Sequence, residues 1–279
     1  MEKLKIFFSS KVVRIIFGTL KLLFSVPIFC VSIFIIYLYF FSPIDTKFKI
    51  AAEPQGSYYS VFMLDHLIKS NPDNYKIVWE SSVAYNKRGE HEEGMKRLDK
   101  AIALAPQEKL GYAGWIKQTK LKDYENALKN YHRLNKLSKI VEYPWGENIY
   151  YLMGISYQGL KNYDSANIYY DKFIASEKNP QNIYPRTFTY RGKMEFDQKN
   201  YKKAIEFYNK TINLDKNIAE AYFYKAQTLE ATNQLDSAKY NYQKSLELIK
   251  NNYKDKDPYD EKFLEIYQLE VEDILKNLK

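Results

Sequence analysis

The side chains that could carry chemistry are few and scattered. The histidines are His66, His91 and His132, and none has a second histidine three or four residues away. That spacing is what would bring two imidazoles to one helical face for a metal ion. Cys30 is the single cysteine, which excludes an intrachain disulfide and a thiolate zinc site. Acidic pairs such as Glu92–Glu93 and Glu272–Asp273 sit in polar runs and read as solvated helix faces. No GxSxG, HExxH, phosphate-binding glycine loop, GxGxxG or CxxC occurs. An enzyme needs a nucleophile, base or metal in a defined constellation. The chain is therefore read as non-catalytic, without cofactor or metal.

The elements that position these residues are of two kinds, a membrane segment and a repeat. Over 279 residues the chain has 46% hydrophobic residues, too many for disorder, and its 10 glycines and 9 prolines are too few for a collagenous or turn-rich β chain. It carries 27 tyrosines and 16 phenylalanines and a net charge of +8.

Residues 22–41, LLFSVPIFCVSIFIIYLYFF, contain no charge and no polar face. As a helix they span roughly 30 Å, the thickness of a bilayer's hydrocarbon core. The alternatives are a buried core helix and a cleaved signal peptide. The following SPIDTKFKI lacks the small residues of a cleavage site, and Phe29 before Cys30 disfavours a lipoprotein box. Lys3, Lys5, Lys11, Arg14 and Lys21 precede the run, whereas Lys47 and Lys49 after it are balanced by Asp45 and Glu53. The cation bias predicts a cytoplasmic N-terminus and a translocated, periplasm-facing C-terminal part. Residues 1–21 are expected to form a basic juxtamembrane segment, and 42–56 a short polar tether. Beyond residue 41 the charge balance is 37 basic against 33 acidic residues, too even for nucleic-acid binding.

An internal repeat organises the remainder. The segments GISYQGLKNYDSANIYYDKFI (154–174), GKMEFDQKNYKKAIEFYNKTI (192–212) and AQTLEATNQLDSAKYNYQKSL (226–246) align without a gap. Two fainter copies lie at 82–102 and 115–135. Small residues recur at Gly94, Ala127, Ala166, Ala204 and Ala238, followed four residues on by Leu98, Tyr131, Tyr170, Tyr208 and Tyr242. A second small position holds Ser82, Gly154, Gly192 and Ala226, and Trp115 breaks it in the second unit. This pattern resembles the tetratricopeptide repeat (TPR), a helix-turn-helix unit of about 34 residues. Units are expected to start near Tyr75, Glu108, Glu147, Pro185 and Ala219, with a partial unit over 60–74. The resemblance implies an all-α solenoid over 57–250. Residues 251–279 are expected to supply its C-terminal cover, a helix over 259–278 with Phe263, Tyr267, Val271, Ile274 and Leu278 on one face. Most of the tyrosines are read as packing.

In TPR proteins the first helices of successive units line a binding groove. Carried over residue by residue, that implies Trp79, Tyr112, Tyr151 and Phe223 as aromatic groove positions. Val83, Ile116 and Ile155 follow one turn later, with a basic edge of Lys87, Lys109, Lys120 and Arg186. Such a surface suits a protein partner offering an extended or helical peptide with apolar anchors and some acidic residues. The expected function is a membrane-anchored scaffold or assembly factor of a cell-envelope complex. A membrane-tethered chaperone or targeting receptor for translocated clients, and a subunit of an envelope enzyme, remain as alternatives.

Overall fold

The computed structural model describes residues 11–257 and 261–278. Regular structure among the described residues is entirely helical: fourteen α-helices and two short 3-10 turns. The chain divides into two compact units, residues 1–105 and 106–279.

The first unit holds α1 (Lys11–Phe40), α2 (Ile44–Ala52), α3 (Tyr58–Ser70), α4 (Tyr75–Lys87) and α5 (His91–Leu104). Residues 22–41 fall almost wholly within α1, the helix expected to cross a membrane. Among the described residues, however, no helix is long and apolar enough to cross one. The side chains at 22, 24, 35, 38 and 39 and the whole of residues 1–10, with the expected basic leader, lie outside the described residues. The structure thus does not show the expected span. The polar tether expected over 42–56 is corrected: Ile44, Phe48 and Ala51, at i, i+4 and i+7, turn one face of α2 onto Met63, Leu64 and Leu67 of α3. Asp65 ties the next helices together. It accepts from Tyr85 Oη at 2.7 Å, Ser81 Oγ at 3.1 Å and Arg97 Nη2 at 3.1 Å. Burial and the bond to Asp65 push the Tyr85 phenol up to about 12.

The second unit contains four helix pairs: α6 (Pro106–Thr119) with α7 (Tyr124–Leu137), α8 (Ile149–Gly159) with α9 (Tyr163–Ser176), α10 (Arg186–Asp197) with α11 (Tyr201–Leu214), and α12 (Ala219–Ala231) with α13 (Leu235–Lys250). The terminal helix α14 (Gln268–Asn277) packs on α13. Asp123, Asn148 and Asn162 cap α7, α8 and α9 by accepting from backbone N–H groups of the first turn.

Each pair closes on one contact. A fully buried tyrosine of the second helix lies flat against a residue without a side chain on the first: Tyr170 on Gly154 and Tyr208 on Gly192. A Cβ at either glycine would meet the ring at 2.5 Å. In the α6–α7 pair the partner of Tyr131 is Gly114, where a Cβ would meet the ring at 2.4 Å. Trp115 therefore does not break the pattern; the register expected for this unit was displaced by one residue. Tyr131 Oη donates to Gln118 Oε1 at 2.7 Å and Tyr170 Oη to Gln158 Oε1 at 2.8 Å, each back to the first helix. Tyr242 Oη does the same to Glu230 Oε2 at 2.8 Å, its ring at the position facing Ala226.

Because the Tyr131 and Tyr170 rings are enclosed and pinned by their hydroxyls, they cannot move aside for a larger neighbour. Gly154→Val and Gly114→Val should each destabilise the chain by about 2 kcal/mol or more, the overpacking outweighing the better helix propensity. Urea unfolding followed by circular dichroism measures it. An unchanged midpoint for Gly114→Val would return Trp115 to that position.

Candidate functional site

The first helices α6, α8 and α10 of the second unit share a face on which a cavity of about 390 Å³ opens. Trp115, Gln118 and Thr119 of α6 line it, with Tyr151, Leu152 and Ile155 of α8 and Arg186 and Tyr190 of α10. Tyr124, at the start of α7, and Tyr184, before α10, complete the aromatic wall. Tyr151 packs edge-on against Tyr184 at 4.8 Å and stacks on Tyr190 at 6.1 Å. Burial raises the Tyr151 and Tyr190 phenols well above their usual range, so they face the cavity as neutral groups. At one end Trp115 stacks on Trp145 at 5.3 Å, and Tyr112 lies 5.0 Å from the same Trp145 ring. Trp145 reaches that place from the Pro144–Gly146 turn with φ at 55°.

The charged groups cluster around Arg186. Its Nε lies 3.4 Å from Asp255 Oδ2 and its Nη2 3.8 Å from Glu220 Oε2. Asp255 N donates to Glu220 Oε1 at 2.7 Å. Burial pushes the Glu220 carboxyl up, and Arg186 pulls it the other way; Glu147, across the cavity, is likewise raised by burial against the pull of Lys262. Neither Arg186 Nε nor Glu220 Oε2 makes a hydrogen bond among the described residues, although both are buried. The site therefore presents an aromatic wall, one cation whose Nε has no hydrogen bond among the described residues, and two carboxyls that burial pushes up. Among the described residues no group of three metal-capable side chains converges.

The remaining wall is the chain's own C-terminal segment, through Asp255, Glu261, Lys262 and Phe263. This corrects the expected capping helix over 259–278. The helix begins only at Gln268, because Asp255 and Leu264 ahead of it are held against Glu220 and Tyr224 of α12. Phe263 and Tyr267, expected on one face of that helix, precede it: Phe263 sets its ring 5.2 Å from Tyr190 and 6.3 Å from Tyr124.

Of the groove residues expected from the sequence, Tyr151, Ile155 and Arg186 line this cavity. Tyr112, Ile116, Lys109 and Lys120 do not, because the one-residue displacement in α6 gives the lining to Trp115, Gln118 and Thr119 instead. Phe223 is fully buried, edge-on to Tyr242 at 5.7 Å, and belongs to the core of the α12–α13 pair. Trp79, Val83 and Lys87 lie on α4 of the first unit: half-buried, buried and exposed respectively. The displacement was visible in the sequence. Tyr124 follows Gly114 by ten residues, whereas Tyr163 and Tyr201 follow their glycines by nine. Nothing local signalled Tyr184, Tyr190 or the returning C-terminal segment.

Comparison with known proteins places this architecture. Residues 149–179 and 191–218 each match a family model described as a tetratricopeptide repeat. No curated protein matches the chain in sequence. Among solved structures, the chain resembles PilW, described as a widely conserved type IV pilus biogenesis factor. The TM-score is 0.57 at 15% identity, over 71% of this chain and 90% of that one. MamA (41-end) from Desulfovibrio magneticus RS-1 aligns with TM-score 0.53 at 20% identity, over 63% of this chain and 96% of that one. Pseudomonas aeruginosa PilF aligns with TM-score 0.52 at 15% identity, over 73% and 90%. The chain carries tetratricopeptide repeats and has the fold of TPR proteins.

The charge cluster makes a pH prediction. Arg186→Gln leaves Glu220 buried without its cation, at a cost of about 2–3 kcal/mol near neutral pH. A carboxyl whose folded pKa is raised costs stability above that pKa, and the cost is relieved as pH falls through it. The deficit of Arg186→Gln against wild type should therefore shrink from pH 8 to pH 5, as measured by thermal unfolding.

Proposed function

We propose that this chain is a non-catalytic protein-interaction module, held at a membrane by residues 22–41, that binds a partner peptide on the α6–α8–α10 face. The observation that carries the reading is the cavity beside Tyr151, Arg186 and Tyr190, which an extended protein segment already borders. A face that accommodates a peptide turn in cis has the shape and donors to accept one in trans. The TPR fold supports a scaffold, and one similar structure, PilW, is of a protein described as a type IV pilus biogenesis factor. On that ground a cell-envelope complex is proposed as the setting, and the N-terminal cation bias supports a cytoplasmic N-terminus with the repeats on the translocated side.

Anchoring rests on the uncharged run in the sequence and on the exposure of α1. Ile28, Phe29, Val31, Ile33 and Phe34 are all at least half exposed, and successive positions point to different sides of the helix. An apolar surface continuous around a helix is unstable in water and suits lipid.

Two measurements test this. The full chain solubilised from its native membrane should retain one or two proteins at near-equal amounts, and Trp115→Ala with Tyr190→Ala should lose them while helix content is kept. A smear of weakly held clients would favour the chaperone alternative, and an empty lane would remove the scaffold reading. Alkaline washing should leave the chain in the membrane fraction, and protease added to intact spheroplasts should digest the repeats; a protected chain would reverse the topology.

A further inference from the structure

We infer that the C-terminal segment, residues 253–257 and 261–267, is a built-in ligand of the α6–α8–α10 face, and that the partner replacing it carries an acidic residue ahead of an aromatic–aliphatic pair at a tight turn. The inference rests on the reading of that face as the binding surface and names the chemistry it selects.

A segment serving only to cover the end of the repeats would not need to travel. Ile266 and Val271 are already fully buried against the α12–α13 core, and α14 completes that cover. The chain nevertheless makes an excursion from the end of α13, past α12 and α10, to the start of α7, and back. Asp255 engages Glu220 and Arg186 on the way. At the far end Lys122 Nζ donates to Glu261 O at 2.8 Å, and on the return Tyr224 Oη donates to Leu264 O at 3.0 Å. Side-chain donors thus read main-chain carbonyls, as they would for any bound peptide.

The tip is a turn built to present a ring. Lys262 N donates to Glu265 Oε2 at 2.9 Å and Glu265 N to Lys262 O at 3.2 Å, while Leu264 takes a left-handed φ of 57°. The result is Phe263 inserted between Tyr124 and Tyr190, with Leu264 against the neighbouring apolar clusters. The hold is incomplete. Phe263 is only half-buried, Glu261 is exposed, and the cavity remains open beside them. Arg186 Nε still has no hydrogen bond among the described residues, so a partner carboxylate placed closer than Asp255 would gain one. An occupant tethered by a short link acts at an effective concentration in the millimolar range, enough to suppress weak ligands and yield to a better one.

The test uses a fluorescent peptide of the chain's own residues 253–267, titrated by anisotropy onto the full chain in detergent. Wild type should bind it at least tenfold more weakly than Phe263→Ala/Leu264→Ala, in which the tethered turn is released. The same peptide with its own Phe and Leu replaced by Ala should not bind the released chain. Asp255→Lys, which breaks the tethered contact to Arg186 without touching the core, is the second variant and should shift affinity in the same direction; circular dichroism verifies that both fold. Equal affinity for wild type and both released chains, or no binding to any of them, would overturn the inference. So would concentration-dependent dimers of the released chain in place of peptide binding, since the occupant would then be a second copy. If the membrane pull-down retains its partner and the peptide neither binds nor competes, the inference falls and the face remains a binding surface. If both fail, the face itself is misassigned.

Discussion

The contact of a tyrosine ring with a glycine on the facing helix is the constraint on which three of the second unit's four helix pairs depend. With a Cβ at the glycine the ring would be blocked at about 2.5 Å. The two helices approach closely only where no side chain intervenes, and the ring then fills the space that a close-packed interior requires. The phenol hydroxyl adds direction. By donating to Gln118, Gln158 or Glu230 on the first helix, it ties rotation of the second helix to the first and satisfies a buried polar group. The α6–α7, α8–α9 and α12–α13 pairs carry this tie; in α10–α11 the Tyr208 hydroxyl makes no hydrogen bond among the described residues, and the ring alone closes the pair.

This packing leaves one face of the first helices to line the cavity. The first helices spend one side on the tyrosines and expose another, where Trp115, Tyr151, Ile155 and Tyr190 form an apolar wall broken by Arg186. Aromatic side chains give much contact area for little lost rotamer entropy, and a single buried cation supplies orientation. The returning C-terminal turn uses this chemistry on itself.

The first unit follows a different plan. Its helices are joined through Asp65, which collects Ser81, Tyr85 and Arg97, with the Arg97 guanidinium 4.0 Å over the Tyr85 ring. Glu80 is buried and receives Gln55 from the turn after α2. An ionic node of this kind fixes geometry more than it stabilises, because desolvation offsets much of the attraction.

Sequence alone determined the helical class, the repeat and the ten helices from α4 to α13, since these follow from periodicity and from small residues at fixed spacing. It determined part of the site, Tyr151, Ile155 and Arg186, because those positions keep the common register. Only the tertiary structure decided the rest. The extra residue between Gly114 and Tyr124 moves Trp115 to the binding face, and its effect is unambiguous only when Tyr131 is seen against Gly114. Ile44, Phe48 and Ala51 become a helix face because α3 offers them an apolar surface, which the short polar-looking segment does not announce. Most of all, the placement of residues 251–257 and 261–267 is set by long-range contacts to Lys122, Tyr190, Glu220 and Tyr224. Local helical spacing favoured one continuous helix there, but burying Phe263 and pairing Asp255 outweighs a few more turns of exposed helix, and no local pattern encodes that comparison.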